Sequence, residues 1–225
     1  MKTTVGFIGL GLMGNPMAMN ILKSNFSLSV FNRTLSKTDE LQSSGAKVAS
    51  SPRMLAFQVD VLITMVTGGN DVEAVLFGAD GVVEGVHKDL VVIDMSTIGH
   101  VKAKEISRKL AEYGIGFLDA PVTGSTSKAF SGELTIFVGG DKAVLERCKP
   151  VLSAMGTNIV HMGPTGSGQA VKLANNFLTA TFNEAMMEGM LLADGMGLPR
   201  QKVAEALINT PNIPDGIKKN LPEFV

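Results

Sequence analysis

The sequence has little from which a disulfide, a membrane span or a nucleic-acid interface could be built. Its single cysteine, Cys148, cannot form an internal disulfide and no signal segment is visible, so we expect a reducing cytoplasm. Charged residues or glycines interrupt every apolar run well short of the roughly 18 residues of a membrane helix. The 20 Lys and Arg residues are scattered among 21 Asp and Glu residues, so no basic patch indicates a nucleic-acid partner.

The chain has enough apolar residues for one large or two smaller domains. Of its 225 residues 45% are hydrophobic, and the net charge is −1. Apolar runs alternate with helical patterns, which predicts an α/β fold with a doubly wound, mostly parallel, Rossmann-type sheet. The predicted strands lie at residues 3–8, 28–31, 61–66, 90–95, 115–120, 131–140 and 158–161. Some of the last strands are expected to pair antiparallel at the far edge of the sheet.

A glycine-rich turn follows the first predicted strand. The sequence GLGLMG, residues 9–14, lies between that strand and a helical pattern, the context in which this glycine spacing binds a dinucleotide. Gly9 would allow the tight turn, Gly11 the approach of a pyrophosphate, and Gly14 close packing of helix on strand. Leu12 and Met13 would offer main-chain amides to the anion. The alternative is a turn that binds nothing.

The second predicted strand ends in Asn32, Arg33 and Thr34, near the position where an NAD site carries an acid for the ribose 2′-hydroxyl. There is no acid here. Arg33 offers a planar fork of donors and Thr34 a hydroxyl, and Asn32 cannot repel a phosphate. These residues favour NADP, and hence NADPH, with NAD the weaker candidate. A surface arginine on a loop is the alternative.

Ligand loops in a doubly wound sheet follow the carboxyl ends of its strands. Further residues predicted to open toward the cofactor crevice are therefore Met65, Val66, Thr67, Ser96 and Thr97. In the loop after residue 120, the amides and hydroxyls of Thr123, Gly124 and Ser125 could bind a small carboxylate without a fixed cation. An ordinary turn is the alternative for this segment.

A long helix is predicted to begin near Ser167 or Gly168, because turn residues precede it and the chain from Ala170 onward has no glycine or proline until Gly189. Lys172 and Asn176 would share one line of this helix, which is apolar elsewhere. A solvated charged face is the ordinary explanation for such a lysine. Because the line carries one charge, we instead expect the helix to be enclosed and the line to border a cleft.

Four motifs in this order resemble the β-hydroxyacid dehydrogenase family, which includes 3-hydroxyisobutyrate dehydrogenase, tartronate semialdehyde reductase and the glyoxylate and succinic semialdehyde reductases. They are FIGLGLMG at 7–14 followed by PMA at 16–18, DMST at 94–97, DAPVTG at 119–124, and GSGQAVKLANN at 166–176. The resemblance implies hydride transfer between a nicotinamide and a carbonyl carbon. It further implies that Lys172 moves the proton, that Asn176 holds the substrate and that the DAPVTG segment binds the substrate carboxylate.

Two residues depart from the usual family pattern. Thr123 stands where the family usually has Ser, and Ser125 where it commonly has Gly, a change that resembles the NADPH-dependent glyoxylate and succinic semialdehyde reductases. We therefore expect reduction of a short aldehyde acid. An ordinary lysine is protonated at neutral pH and therefore cannot accept a proton. We expect apolar walls to lower the pKa of Lys172. A catalytic histidine finds little support, and His161 is expected to be structural.

The resemblance also sets an expected domain organisation. Residues 1–163 would form the NADP-binding domain, and residues 164–225 the long helix with a remnant of an all-helical substrate and dimerisation domain. Because that domain would be truncated, the apolar helix should be covered in a homodimer or higher homo-oligomer. No metal, membrane or nucleic-acid partner is expected. Two alternatives stay open: a shortened member that binds NADP without chemistry, and a 6-phosphogluconate dehydrogenase, which would need a different lysine motif and a phosphate pocket.

Overall fold

Nine strands form one sheet in the computed structural model of the chain, which describes residues 3–87, 89–211, 213 and 218. The strands are β1 Thr4–Ile8, β2 Ser27–Phe31, β3 Lys47–Val48, β4 Val61–Thr64, β5 Val91–Asp94, β6 Gly116–Asp119, β7 Val122–Thr123, β8 Leu134–Gly140 and β9 Gly156–Gly163. The helices of the same residues are α1 Gly14–Lys23, α2 Asp39–Ser43, α3 Pro52–Ala56, α4 Gly69–Phe77, α5 His100–Glu112, α6 Thr126–Ser131, α7 Lys142–Leu152, α8 Ser167–Gly195 and α9 Arg200–Ile208.

The sheet has the strand order expected of a doubly wound fold. Strands β3, β2, β1, β4, β5 and β6 are neighbours in this order and all pair in parallel. The order reverses between β1 and β4, since the chain leaves β1 toward β2 on one side and returns to β4 on the other. Such a reversal opens a crevice beyond the carboxyl ends of the two strands. The predicted fold class is confirmed.

The far edge of the sheet contains the predicted antiparallel pairs. Strands β6 and β7 follow one another along the same side of β8 in a continuous antiparallel register, while β9 runs parallel to β8 on its other side. The prediction of a strand beginning at Ser131 was wrong, because Ser131 ends α6. The following Gly132 has φ +72°, the left-handed conformation that ends many helices.

The strands are apolar because both faces of the sheet are covered. Along β4, Val61 and Ile63 pack in one hydrophobic cluster with α1 and α7, and Leu62 packs in the other with α3, α4 and α5. Successive side chains of a strand point to opposite faces, so a strand covered on both sides reads as a continuous apolar run.

The chain divides into two compact units, Met1–Lys172 and Leu173–Val225. The first holds the sheet, α1 to α7 and the start of α8. In the second, Met186 and Met190 of α8 pack with Ala204 of α9. Among the described residues, every helix is too short or too polar to cross a membrane.

The prediction that α8 is enclosed was wrong for the described structure. Leu173 is 47% exposed, Phe177 70% and Phe182 45%, and Asn176 on the polar line is exposed as well. The helix carries the predicted apolar side chains, but no other described residues bury them along this part of the helix.

Candidate active site

The carboxyl ends of four adjacent strands lie in register at one edge of the sheet. Ile8, Thr64, Asp94 and Asp119 are successive partners across β1, β4, β5 and β6. The loops that follow these residues therefore leave the sheet side by side, as the strand-end rule predicted.

The loop after β1 leaves open space at its middle glycine. Gly9 has φ +97°, and a Cβ on Gly14 would overlap the Gly9 carbonyl, so both positions require glycine. A Cβ on Gly11 would meet nothing within 4 Å. Leu12 is 84% exposed, and no described side chain caps α1 at Met13. Free space thus borders the start of this helix, where no side chain caps the main-chain amides.

Asn32 braces this loop. Its Oδ1 accepts a hydrogen bond from the Leu10 amide at 2.9 Å, and its Nδ2 donates to the Thr34 carbonyl at 2.8 Å. Both bonds fix the segment that carries Arg33. Arg33 and Thr34 are exposed, and Arg33 forms no ion pair with any other described residue. Its guanidinium is therefore available to an anion.

Asp94 is fully buried at the end of β5. Its Oδ1 accepts hydrogen bonds from Thr64 Oγ1 at 2.8 Å and from the Ser96 amide at 3.2 Å, whereas its Oδ2 has no partner among the described residues. Burial raises the pKa of Asp94 to about 7. Ser96 extends the network, since its Oγ accepts from the Val66 amide at 3.0 Å. The loops after β4 and β5 are thereby held together.

The five residues predicted on these two loops differ in accessibility. Ser96 is buried and its hydroxyl is engaged, Met65 and Val66 are half-buried, and Thr67 and Thr97 are exposed. Thr67 and Thr97 are therefore accessible, whereas the Ser96 hydroxyl is engaged in holding the two loops together.

Asp119 caps the start of α8. Its Oδ1 accepts from the Gly166 amide at 2.6 Å and its Oδ2 from the Gln169 amide at 2.9 Å. These bonds satisfy main-chain donors at the helix start and lower the carboxyl pKa, but burial outweighs them and raises the pKa of Asp119 overall. The strand end thus fixes where the long helix begins.

Gln169 adds a side-chain connection from the same turn. It is fully buried; its Oε1 accepts from the Ile98 and Gly99 amides at 2.9 and 3.1 Å, and its Nε2 donates to the Ser96 carbonyl at 2.8 Å. His100 also donates, from Nδ1 to the Gly166 carbonyl at 3.0 Å. The loop between β5 and α5 and the start of α8 are joined by these bonds.

Lys172 lies one turn after Gln169. It is half-buried, and it forms no hydrogen bond or ion pair with another described residue. Burial lowers the pKa of Lys172, the direction that its predicted role requires. Asn176 follows one further turn along α8 and is exposed.

The predicted carboxylate-binding segment lies between β7 and α6. Thr123 ends β7 and is half-buried, Gly124 has φ +139°, and Ser125 is exposed immediately before α6. The hydroxyls of Ser125 and Ser127 are 2.6 Å apart. Of the three predicted residues, Gly124 and Ser125 are thus exposed and Thr123 is half-buried.

Two histidines bind main-chain carbonyl groups, and the cysteine is buried. His87 and His161 donate from Nε2 to the carbonyls of Val59 and Gly140, at 2.8 and 2.9 Å. Cys148 is buried, which raises its thiol pKa. The cytoplasmic location inferred with it stays a prediction. No group of three or more potential metal-ligating residues occurs in the part of the chain that the structure describes.

Asp94, Asp119 and Gln169 lie in the conspicuous motifs of the sequence, but no role was predicted for their own side chains. A signal for Gln169 was present, because it precedes Lys172 by three positions and Asn176 by seven and so begins the same helical line. The signal for each aspartate is an acid at the end of an apolar strand, where burial requires hydrogen-bond donors. Which donors these are depends on residues distant in sequence.

Comparison with known proteins places these features in a family. Residues 4–163 match the family described as the NAD binding domain of 6-phosphogluconate dehydrogenase. Residues 166–224 match the one described as NAD-binding of NADP-dependent 3-hydroxyisobutyrate dehydrogenase. The segment that contains Lys172 thus matches the second description, which counts against the 6-phosphogluconate dehydrogenase alternative.

Relatives cover most of the chain. An NAD-dependent L-serine dehydrogenase of Pseudomonas aeruginosa is 40% identical over 90% of this chain and 68% of its own length. The 2-hydroxy-3-oxopropionate reductase of Escherichia coli is 40% identical over 91% and 70%. The structure of Mycobacterium tuberculosis 3-hydroxyisobutyrate dehydrogenase with L-serine matches with a TM-score of 0.89 and 32% identity, covering 99% of this chain and 75% of that one. The chain therefore belongs to the β-hydroxyacid dehydrogenase family, oxidoreductases with an NAD(P)-binding domain.

Proposed function

From this family membership we propose that the chain uses NADP(H) to interconvert a short hydroxy acid and the corresponding aldehyde acid, with Lys172 as acid and base. The observation that carries the proposal is a half-buried Lys172 with no partner among the described residues. Lysines are rarely buried without a paired group. An unpaired lysine on a helix anchored at the strand ends is suited to exchange a proton with a ligand.

The residues around the glycine-rich turn fit a dinucleotide. Space beside Gly11 and uncapped amides at the start of α1 suit a pyrophosphate. The exposed, unpaired Arg33 suits a 2′-phosphate, and no acid at 32–34 would hold the free ribose hydroxyl of NAD. When bound, the nicotinamide would supply or accept the hydride.

Lys172 would handle the accompanying proton. In reduction it would donate to the carbonyl oxygen as that oxygen gains negative charge, and in oxidation it would accept the hydroxyl proton. Burial lowers its pKa, which is the direction that the second role requires. Thr123, Gly124 and Ser125 would hold the substrate carboxylate through hydroxyls and amides, and Asn176 would bind the substrate one turn beyond Lys172.

The test is turnover of Lys172→Ala beside Lys104→Ala, which removes an exposed lysine of α5. NADPH oxidation would be followed with glyoxylate, succinic semialdehyde and methylmalonate semialdehyde, and oxidation of L-serine with NADP and NAD. We expect Lys172→Ala to lose at least roughly 100-fold in kcat while NADPH still binds. Near-normal turnover in this variant would refute the role of Lys172. NADPH binding without turnover by the unaltered chain would favour the non-catalytic alternative.

We further propose that the exposed apolar face of α8 is covered in a homodimer. Phe177 is 70% exposed and Leu192 63%, and large apolar side chains that a helix leaves exposed are normally hidden in a partner interface. Sedimentation velocity over a range of concentrations should detect a dimer that Phe177→Glu dissociates. Phe57→Glu, at an equally exposed phenylalanine after α3, should leave it intact. A monomer at every concentration would contradict the proposal.

A further inference from the structure

The side chain of Gln169 forms more hydrogen bonds than packing alone would require. Its side chain is fully buried, and its amide oxygen and nitrogen bind three main-chain groups of one loop, those of Ser96, Ile98 and Gly99. That loop is the one held to the end of β4 through the Ser96 hydroxyl and the Val66 amide. Gln169 therefore joins α8 to the paired loops that follow β4 and β5.

Two separate contacts fix the start of α8. Asp119 binds main-chain amides and so fixes where the helix begins. The Gln169 side chain binds a loop beside the helix and so fixes its rotation about its own axis. Residues three positions apart are neighbours on a helix surface, so this rotation determines where Lys172 points.

We propose that Gln169 is a positioning residue, which holds Lys172 at a fixed place relative to the loop 96–99 on the cofactor side of the site. The inference rests on the proposed role of Lys172. It also assigns a reason for glutamine at this position, because an amide supplies the acceptor for two N–H groups and the donor for one carbonyl.

Two substitutions separate hydrogen bonding from packing. Gln169→Met keeps the length and apolar stem but leaves one carbonyl and two amides of the loop without partners, so the turn that carries Lys172 should shift. In Gln169→Glu the introduced carboxylate keeps the acceptor and loses the donor. When protonated, the same carboxyl carries both and reproduces the pattern of the amide. The activity of the Gln169→Glu variant, relative to that of the unaltered chain, should therefore rise as the pH falls.

The experiment measures kcat and KM against pH, the Kd for NADPH, and hydrogen exchange over residues 96–100 and 166–172. We expect Gln169→Met to lose at least about 10-fold in kcat, because small displacements of a catalytic group are costly, with the Kd for NADPH within about 2-fold. Both segments should lose exchange protection. The kcat of Gln169→Glu relative to the unaltered chain should recover toward low pH, while that of Gln169→Met should not. Gln58→Met, at an exposed glutamine after α3, is the matched control.

The outcomes distinguish the inference from the proposed function. Normal kcat in Gln169→Met together with an inactive Lys172→Ala would overturn the inference alone. If Gln169→Met lost affinity for NADPH in parallel with kcat, Gln169 would have a general structural role, and this result would also overturn the inference. An active Lys172→Ala, or no turnover by the unaltered chain, would overturn both.

Discussion

The buried carboxyl of Asp94 should make the stability of the protein depend on pH in a way that one substitution removes. Asp94→Asn keeps the shape of the side chain and the Oδ1 acceptor for Thr64 and Ser96. It replaces Oδ2, which lacks a partner among the described residues, with an amide nitrogen in the same surroundings. Any cost of that exchange does not change with pH, since an amide does not titrate.

The sign and size of the effect follow from the raised pKa. In the unfolded chain the carboxyl ionises near its ordinary pKa of 3.8, and in the folded state only near about 7. Between these values the folded state binds more protons, so this contribution to the free energy of unfolding is fully present below about pH 4 and is lost as the pH rises through about 7. From about pH 5 to about pH 8 the loss is about 2.5 kcal/mol.

Urea unfolding of both proteins at intervals across this pH range is the assay. The free energy of unfolding of Asp94→Asn, relative to the unaltered protein, should rise by about 2.5 kcal/mol from the acidic to the alkaline end. Asp39→Asn, at an exposed position in the first turn of α2, is the matched control. Parallel curves for Asp94→Asn and the unaltered protein would refute the reasoning.

Three further predictions concern the proposed cofactor site and the glycine-rich turn beside it. Arg33→Ala should weaken NADPH binding on the order of 10-fold more than NADH binding, because it removes the unpaired guanidinium. Arg108→Ala, at an exposed arginine of α5, should weaken neither. Equal losses for both cofactors in titrations would remove Arg33 from the site. Gly11→Ala should leave the unfolding midpoint unchanged and weaken NADPH, because its Cβ meets only open space. Gly14→Ala should instead lower the free energy of unfolding by about 1–3 kcal/mol, and unaltered stability would contradict the overlap with the Gly9 carbonyl.

The features that could be predicted from the sequence are those with local causes. The start of α8 at Ser167 follows from a run of turn residues ahead of an uninterrupted helical stretch. The buried strands follow from continuous apolar runs, and the ligand edge from the order in which strands and helices alternate. The short helix α6 was missed because its six residues are too few to show a helical period, although Gly132 marked its end.

The buried polar network could not be predicted, because its partners are distant in sequence. Asp119 accepts hydrogen bonds from the amides of Gly166 and Gln169, which are 47 and 50 residues away in the sequence. The Gln169 side chain donates to the Ser96 carbonyl, 73 residues away. A motif shows that a polar residue is present, but only the packed fold shows whether its charge or amide is satisfied. The pKa directions of Asp94 and Lys172 depend on burial in the same way.

The failed prediction of an enclosed α8 has the same origin and bears on assembly. A helix that is apolar on most sides requires cover, but its sequence does not identify what provides it. Leu173, Phe177 and Leu178 are 47%, 70% and 53% exposed. Complete burial of such side chains contributes about 1.5–3 kcal/mol each. The apolar face thus offers enough free energy to offset part of the entropy of association, and a second copy would present an identical apolar face to it.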